Sequence, residues 1–176
     1  MKFPIRPRAH QFSGFTLIEM LIVISIIVVL AGLAFPAVNG AIDSARKSQA
    51  KSTVTQIAAA VTAYETEYGK LPSGDATTVD LSFVQILAGL DNVENPRRIV
   101  FLEAPVWKKG KGGTNAQGYC DPWDEATPYS IALDDDYDNE IDVSTNGSAT
   151  GSETIRKKVG VWNVNTTIGY QIRSWD

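Results

Sequence analysis

Residues 14–38 read GFTLIEMLIVISIIVVLAGLAFPAV, and this stretch decides the fold of the 176-residue chain. From Met20 to Val38 the run comprises 19 residues, of which Ser25 alone is weakly polar. An α-helix needs about 20 apolar residues to cross the roughly 30 Å hydrocarbon core of a bilayer. A soluble chain of this length is too small to surround an apolar helix of that size. The run therefore predicts a membrane-spanning helix.

The segment before this run is basic, and one acidic residue interrupts the start of the run. Residues 1–13 contain Lys2, Arg6 and Arg8 and no acidic residue. The apolar region of an ordinary secretory signal peptide has only about 7–15 residues, which is fewer than here. Glu19 stands near the start of the run, and a carboxylate in hydrocarbon costs at least about 2.5 kcal/mol. A residue so unfavourable in that place is predicted to have a function.

The hexapeptide GFTLIE at residues 14–19 lies between the basic segment and the apolar run, and it resembles the prepilin signature of type IV pilins and type II secretion pseudopilins. The resemblance implies that residues 1–14 are a leader, that prepilin peptidase cleaves between Gly14 and Phe15, and that the amine of Phe15 is methylated. It also implies a single-pass inner-membrane protein with a cytoplasmic N-terminus and a periplasmic head. Its subunits would leave the lipid bilayer at an inner-membrane assembly platform and self-assemble, with minor pseudopilins, into a helical filament.

The residues of the predicted filament core, 15–38, fit such an assembly. After cleavage the amine of Phe15 is positive, and Glu19 of a neighbouring subunit can neutralise it, which removes two unpaired charges from an apolar interior. Pro36 deletes a backbone hydrogen bond from the helix, and the resemblance implies a stretch there that bends or unwinds as subunits pack. We therefore expect Phe15, Glu19 and Pro36 to take part in assembly.

Residues 39–69 predict an amphipathic second half of the same helix. Its apolar residues recur mostly at three- and four-residue steps, while Ser, Thr, Gln, Lys and Glu fill the opposite face. Gly69 can take the C-cap position, and Pro72 prevents the helix from resuming. The apolar stripe comprises Ile42, Ala45, Ala50, Val54, Ile57, Ala58, Val61, Tyr64 and Tyr68.

Residues 70–176 predict a globular head. The fold class is α+β and type IV pilin-like: the long N-terminal helix packs on a small antiparallel sheet of three or four strands. Apolar spacing predicts a short helix from Leu81, closed by Gly89 or Asn92. The glycine-rich, basic segment 108–118 predicts a solvent-exposed loop. Four short apolar segments predict strands, at residues 99–102, 128–133, 155–164 and 168–175.

The motif DPW at residues 121–123, followed by PY at 128–129, resembles a segment of the major pseudopilins that leads into the first strand of their sheet. Residues 124–127 make the segment two residues longer here, so its turn must differ in geometry. We expect Trp123 and Tyr129 to have core roles. This resemblance favours the major pseudopilin of type II secretion over a true pilus subunit.

Residues 134–142 read DDDYDNEID, and this acidic cluster predicts a calcium site. The predicted ligands are the carboxylates of Asp134, Asp136, Asp138 and Asp142, and the backbone carbonyl of Glu140. The first three fall at positions 1, 3 and 5 of an EF-hand-type loop, and Asn139 takes the place of glycine at position 6. Position 12 is Thr145 in place of glutamate, and a solvated acidic turn is the alternative. The calcium loop of major pseudopilins lies nearer the C-terminus, so this site is predicted from spacing alone.

The single histidine, the single cysteine and the net charge exclude or disfavour several classes of function. His10 is the single histidine and lies in the predicted leader, so Ser-His-Asp and Cys-His mechanisms are excluded from the mature chain. A membrane-anchored enzyme would need carboxylate pairs, none of which has a diagnostic spacing, and we expect no enzyme. The net charge of −4 argues against a nucleic-acid partner. Because Cys120 is the single cysteine, it cannot close the disulfide loop of many type IV pilins. A type IV pilus subunit (adhesion, motility or DNA uptake) remains the alternative.

The first prediction concerns processing. Because the Gly14–Phe15 bond lies between a basic leader and an apolar helix, we expect the membrane-extracted protein to start at Phe15 with a methylated amine. Intact-mass measurement and N-terminal analysis check this. A protein that starts at Met1, or beyond Ala34, would contradict the prepilin interpretation.

Overall fold

The structure, a computed structural model, describes residues 14–72, 77–144, 152–163 and 171–175, without the side chains of 34–37, 144 and 152. The chain divides into two compact units between Ile42 and Asp43. The predicted leader up to residue 13, Thr145 and the ends of two predicted strands (164 and 168–170) lie outside the described residues. The elements are α1 (Leu17–Tyr68), α2 (Leu81–Leu87), β1 (Gly113–Thr114), β2 (Tyr119–Cys120), β3 (Ser130–Leu133), β4 (Ile141–Ser144), β5 (Ser152–Ile155) and β6 (Val159–Trp162).

The long helix α1 forms as the sequence predicts. It ends at Tyr68, and Gly69 follows in the left-handed conformation with a φ of 69°. The Gly69 N–H donates to the carbonyl of Glu65 at 2.7 Å. Because a left-handed residue after a helix is usually glycine, the predicted C-cap role of Gly69 is confirmed.

One face of α1 builds the core of the unit that begins at Asp43. Helix residues at three- and four-residue steps are fully buried, namely Ala50, Val54, Ile57, Val61 and Tyr64. They cluster with Phe83 of α2 and with Ile131 and Val161 of the strands. Burial of each large apolar side chain contributes about 1.5–3 kcal/mol. The predicted stripe is therefore confirmed from Ala50 onward, whereas Ile42 and Ala45 are exposed.

Helix α2 is also confirmed. Asp80 is its N-cap, and the carboxylate accepts a hydrogen bond from the Phe83 N–H at 2.8 Å. Gly89, one of the two predicted terminators, follows the helix with a φ of 73°. A Cβ there would lie 2.8 Å from the carbonyl oxygen of Arg98, so the position needs glycine both for its dihedral angle and for space.

The prediction of a strand at residues 99–102 is wrong. The N–H groups of Phe101 and Leu102 both donate to the Leu87 carbonyl at the end of α2, at 2.8 and 3.1 Å. The N–H of Ile99 donates to the side chain of Asn95 at 3.0 Å. Because these backbone groups bond to a helix end and to a side chain, the segment folds as an irregular connection despite its apolar sequence.

The strands are antiparallel, as predicted, but they form three two-stranded pairs instead of one sheet of three or four strands. The pairs are β1 with β2, β3 with β6, and β4 with β5. A Cβ at Gly160 of β6 would lie 2.9 Å from Ile141 and 3.2 Å from Val143 of β4. The side chains of β4 therefore lie over the face of β6, with Trp162 in the same small cluster. Packing face to face replaces the expected edge pairing.

The predicted strand at residues 155–164 is two strands in the structure. Ile155 ends β5, residues 156–158 turn, and Val159 begins β6. The sequence IRKKV therefore contains a turn between strands of different pairs. Of the predicted strand at residues 168–175, the structure describes residues 171–175. Arg173 forms an isolated bridge to Trp162, but these five residues do not form a regular strand.

The glycine-rich segment 108–118 is only partly the exposed loop that the sequence predicts. Its lysines are exposed, but its second half contains strand β1 and the residues that connect β1 to β2. Gly118 is buried with a φ of 141°, and a Cβ there would collide with the Val79 carbonyl oxygen. The glycine permits close approach of two backbones, a role that the sequence analysis did not anticipate.

The DPW segment forms two successive side-chain-capped turns. Asp121 accepts hydrogen bonds from the N–H groups of Trp123 and Asp124 at 2.9 and 2.8 Å. Asp124 then accepts from the Ala126 N–H at 2.9 Å, so the two additional residues form a second turn of the same kind. Trp123 packs against the main core, and Tyr129 is 1% exposed within it. The predicted core roles of both aromatic residues are confirmed.

A buried asparagine joins the end of α1 to the connection after α2. Asn95 is fully buried, and its amide nitrogen donates to the carbonyls of Ile86 and Ile99, both at 2.8 Å. Its side-chain oxygen accepts from the Ile99 N–H at 3.0 Å and from the Tyr68 hydroxyl at 2.6 Å. All four hydrogen-bonding positions of this amide are satisfied, as a buried polar group requires.

Replacement of Asn95 should therefore destabilise the head strongly. In Asn95→Ala several buried donors and acceptors lose their partner at once, and we expect about 3 kcal/mol lower stability, or a Tm lower by about 6–12 °C. Thermal unfolding of the full chain in detergent, followed by tryptophan fluorescence, measures this. Gln117→Ala, which removes an exposed side-chain amide from the same head, is the matched control and should change stability by less than about 0.5 kcal/mol. Equal Tm values for the two variants would contradict the structural role of Asn95.

Candidate functional site

The predicted cleavage position lies just outside the regular helix. Gly14 and Phe15 precede α1, which begins at Leu17, and both are exposed. The Phe15 side chain is 75% exposed, and nothing lies within 4 Å of a Cβ built at Gly14. An uncovered peptide bond outside a helix is what a peptidase needs in order to bind its substrate backbone. The geometry of this bond is therefore compatible with the predicted cleavage.

Glu19 is held by Thr16 in a capping box at the start of α1. The Thr16 N–H and hydroxyl donate to Glu19 Oε2 at 2.8 and 2.6 Å, and the Glu19 N–H donates back to the Thr16 hydroxyl at 3.3 Å. This reciprocal arrangement satisfies two of the backbone donors that a helix start leaves without partners. The sequence analysis missed Thr16, although Thr-x-x-Glu before an apolar run is the known pattern for this motif.

The second oxygen of Glu19 is free to meet another group. Both hydrogen bonds from Thr16 reach Oε2, and among the described residues none donates to Oε1. Glu19 is exposed, so the carboxylate can accept a further donor from outside the subunit without breaking its cap. The capping box holds this carboxylate in the first turn of the helix.

The first part of α1 presents apolar side chains on every side. The helix is long and apolar enough to cross a membrane, by its length and composition, and none of its most apolar 18-residue stretch is buried. Ser25, the polar residue within this stretch, donates its hydroxyl to the Leu21 carbonyl at 2.7 Å, so the helix itself satisfies it. The exposed large apolar residues include Leu17, Ile18, Leu21, Ile24, Ile27, Val28, Leu30 and Leu33.

Pro36 lies within α1, which continues on both sides of it. Its side chain is outside the described residues, so the predicted bending or unwinding of this stretch stays a prediction.

The acidic loop between β3 and β4 brings together three of its five predicted ligands. Asp134 directly follows β3 and is 1% exposed, whereas Asp136 and Asp138 are exposed. One carboxylate oxygen from each lies within 4.8 Å of the others. Asp134 Oδ2 accepts the Asn139 N–H at 3.0 Å, and Asn139 has the left-handed φ of 65° that the sequence predicted. Asp134 Oδ1 is buried and has no hydrogen-bond partner among the described residues.

The other two predicted ligands point to different partners. The Arg156 guanidinium contacts the Glu140 carboxylate at 3.2 Å, and the Thr154 hydroxyl donates to Asp142 at 2.6 Å. From Ile141 the chain is a strand paired with β5, so side chains on either side of it meet their cross-strand neighbours. The structure therefore does not place the side chains of Glu140 and Asp142 with the three clustered aspartates, and the backbone carbonyl predicted as the Glu140 ligand stays a prediction.

The carboxylates of the acidic loop affect one another. The Asp138 N–H, which donates to Asp136 at 3.4 Å, acts to lower the pKa of Asp136. Desolvation and the neighbouring Asp138 and Asp134 carboxylates act in the opposite direction and prevail, so the pKa of Asp136 is raised. The loop therefore concentrates negative charge that its own hydrogen bonds do not compensate.

Cys120 is a structural residue. It is fully buried in β2, and burial, followed by the nearby Asp121 and Asp124 carboxylates, raises the pKa of its thiol to about 11. A thiol with such a pKa stays protonated at neutral pH and is a poor nucleophile.

Comparisons with known proteins agree with the N-terminal site. The family described as the prokaryotic N-terminal methylation motif matches residues 10–35. Type II secretion system core protein G of Pseudomonas aeruginosa (strain PAO1) is 41% identical over 64 residues, which are 36% of this chain and 45% of that protein. The chain thus matches less than half the length of this relative. No solved structure gives a significant match. The predicted resemblance to prepilins and to the major pseudopilin is confirmed.

The capping box predicts a specific effect of Thr16. In Thr16→Val the Glu19 N–H loses its acceptor, and the helix start should weaken by about 1 kcal/mol, which corresponds to a roughly fivefold larger equilibrium constant for local opening. Hydrogen exchange of the backbone amides of residues 17–19, measured in detergent, reports this opening. Thr16→Ser keeps the hydroxyl and should exchange like the wild type. Identical exchange in all three proteins would show that the cap does not stabilise the helix start.

Proposed function

We propose that the chain is a structural subunit of a periplasmic pseudopilus in a type II secretion system. In this proposal prepilin peptidase cleaves after Gly14 and methylates the amine of Phe15. The subunit is held in the inner membrane by α1, with its N-terminus in the cytoplasm and its head in the periplasm. It then polymerises through α1, with minor pseudopilins and an inner-membrane assembly platform as partners, and filament growth drives protein export.

The match of residues 10–35 to the methylation motif is the observation that carries this proposal. The similarity to core protein G supports a pseudopilus in particular, because that relative is named as part of a type II secretion system. The structure adds that the apolar first part of α1 is uncovered within the subunit. Such a surface requires apolar surroundings. Lipid provides them before assembly, and the helices of other subunits provide them afterwards.

The proposed assembly step follows from the charges at the helix start. After cleavage, Phe15 carries a positive amine, one residue before the threonine that caps Glu19. The free Oε1 of Glu19 can accept the amine of a neighbouring subunit while Oε2 keeps its bonds to Thr16. Pairing the two charges removes the desolvation penalty that each would have alone in an apolar interior. A docked subunit is therefore favoured over one that remains alone in the bilayer.

Replacement of Glu19 tests this proposal. Glu19→Ala should still insert and be cleaved, but with no carboxylate to pair with the neighbour's amine it should form at least about tenfold fewer filaments. Cross-linking of subunits in cells and quantification of sheared or periplasmic filaments measure assembly. Ser25→Ala in the same apolar helix is the matched control and should assemble like the wild type.

Two outcomes of this experiment would contradict the proposal. Wild-type filament yield from Glu19→Ala would show that the carboxylate is not needed for assembly. Secretion of the exported proteins that continues unchanged when the filaments are lost would exclude a pseudopilus. If surface pili disappeared in the same cells, the type IV pilus alternative would take its place.

A further inference from the structure

We propose that Asp134, Asp136 and Asp138 form a binding site for a calcium ion in the loop between β3 and β4. The inference goes beyond the proposed function and does not depend on it. It rests on the placement of one buried carboxylate oxygen, on the spacing of the three donors and on the engagement of the nearby cationic side chains elsewhere.

The buried oxygen of Asp134 is the main observation. Asp134 is 1% exposed, and its Oδ1 has no hydrogen-bond partner within the described part of the chain, although its Oδ2 is bonded to the Asn139 N–H. Buried carboxylates in folded proteins are paired with a cation or fully hydrogen-bonded, since removing an unpaired charge from water is strongly unfavourable. The orphan oxygen belongs to the residue whose carboxylate lies within 4.8 Å of those of Asp136 and Asp138. A cation among the three would satisfy it.

The nearby basic side chains are directed to other carboxylates. Arg156 contacts Glu140 at 3.2 Å, and the Lys158 ammonium contacts Glu65 of α1 at 2.8 Å. Within the part of the chain that the structure describes, neither lysine nor arginine forms an ion pair with the three clustered aspartates. Lys158 lies close enough to interact electrostatically with Asp134, but its ion pair is with Glu65. The three clustered aspartates therefore have no direct ion pair among these residues, and a cation from solution is the partner that we propose.

The donor set fits calcium better than a smaller ion. Calcium takes about six to eight oxygen ligands in a flexible geometry, so three aspartates of one loop can supply part of its coordination sphere. One carboxylate oxygen from each aspartate lies within 4.8 Å of the others, which allows all three to reach one ion. Magnesium demands a nearly ideal octahedral geometry and is usually held by only about one or two carboxylates. Exposed Asp136 and Asp138 leave room for water molecules to complete the larger coordination sphere of calcium.

The site would fix the junction between two strand pairs. The Asp134 N–H donates to the Lys158 carbonyl at 2.9 Å, so the backbone at the first ligand is bonded to the turn before β6. The other two ligands lie in the turn that leads into β4. An ion that binds all three side chains therefore holds the end of β3 and the entry to β4 in one geometry.

Calcium titration of the full chain in detergent tests the inference. After removal of divalent ions by EDTA, isothermal titration with CaCl2 should give one site per chain, with a Kd on the order of 10⁻⁴ M, as in extracellular calcium modules. In about 5 mM CaCl2 the Tm should rise by about 5 °C, and MgCl2 should have a smaller effect. Absence of both the binding heat and the Tm shift would overturn the inference.

Variants locate the ion within the loop. Asp134→Asn and Asp138→Asn should each abolish the calcium-dependent rise in Tm, and Asp134→Asn should not lower the Tm in EDTA, because it removes an unpaired buried charge. Asp135→Asn is the matched control: it removes one exposed acidic residue from the same loop but none of the three ligands, and it should keep the calcium response. Loss of the response in Asp135→Asn but not in Asp138→Asn would place the ion elsewhere and contradict the proposed ligand set.

Discussion

The uncovered apolar surface at the start of α1 is the constraint on which the rest of the molecule depends. From Leu17 to Leu33 the large apolar side chains are all substantially exposed, and the described residues of the unit to which they belong contain no other element that could bury them. Hydrophobic surface of this size must find another environment, because water is unfavourable to it. The protein therefore depends on surroundings outside this unit to cover the helix.

The head folds with little regular secondary structure. Its strands are short and occur in pairs, and two-stranded ladders are only marginally stable by themselves. Three other devices therefore contribute: the buried face of α1, the amide of Asn95 that satisfies the connection after α2, and the side-chain-capped turns of the DPW segment. Hydrogen bonds from nearby side chains satisfy backbone groups that long strand ladders satisfy in larger sheets.

The sequence predicted well the features that depend on the spacing of a few neighbouring residues. The membrane-type run, the stripe from Ala50 onward, the glycine after Tyr68 and the short helix from Leu81 all depend on local spacing, and all are present. The errors concern distant partners. The apolar character of residues 99–102 does not determine whether their backbone groups bond to a strand or to a helix end. Likewise, the sequence IRKKV at residues 155–159 contains no residue that indicates a turn. For the same reason the spacing found Asp134, Asp136 and Asp138 but could not tell that Arg156 and Thr154 engage Glu140 and Asp142.

The capping box has a consequence for the reversibility of any assembly that uses Glu19. Because Thr16 bonds to one oxygen and leaves the other open, an arriving amine does not have to displace an existing contact, and a departing one does not expose a bare carboxylate. In the absence of a neighbouring amine, the Glu19 carboxylate still accepts its two hydrogen bonds from Thr16. Exchange between a free and a docked subunit would then proceed over a lower barrier in both directions.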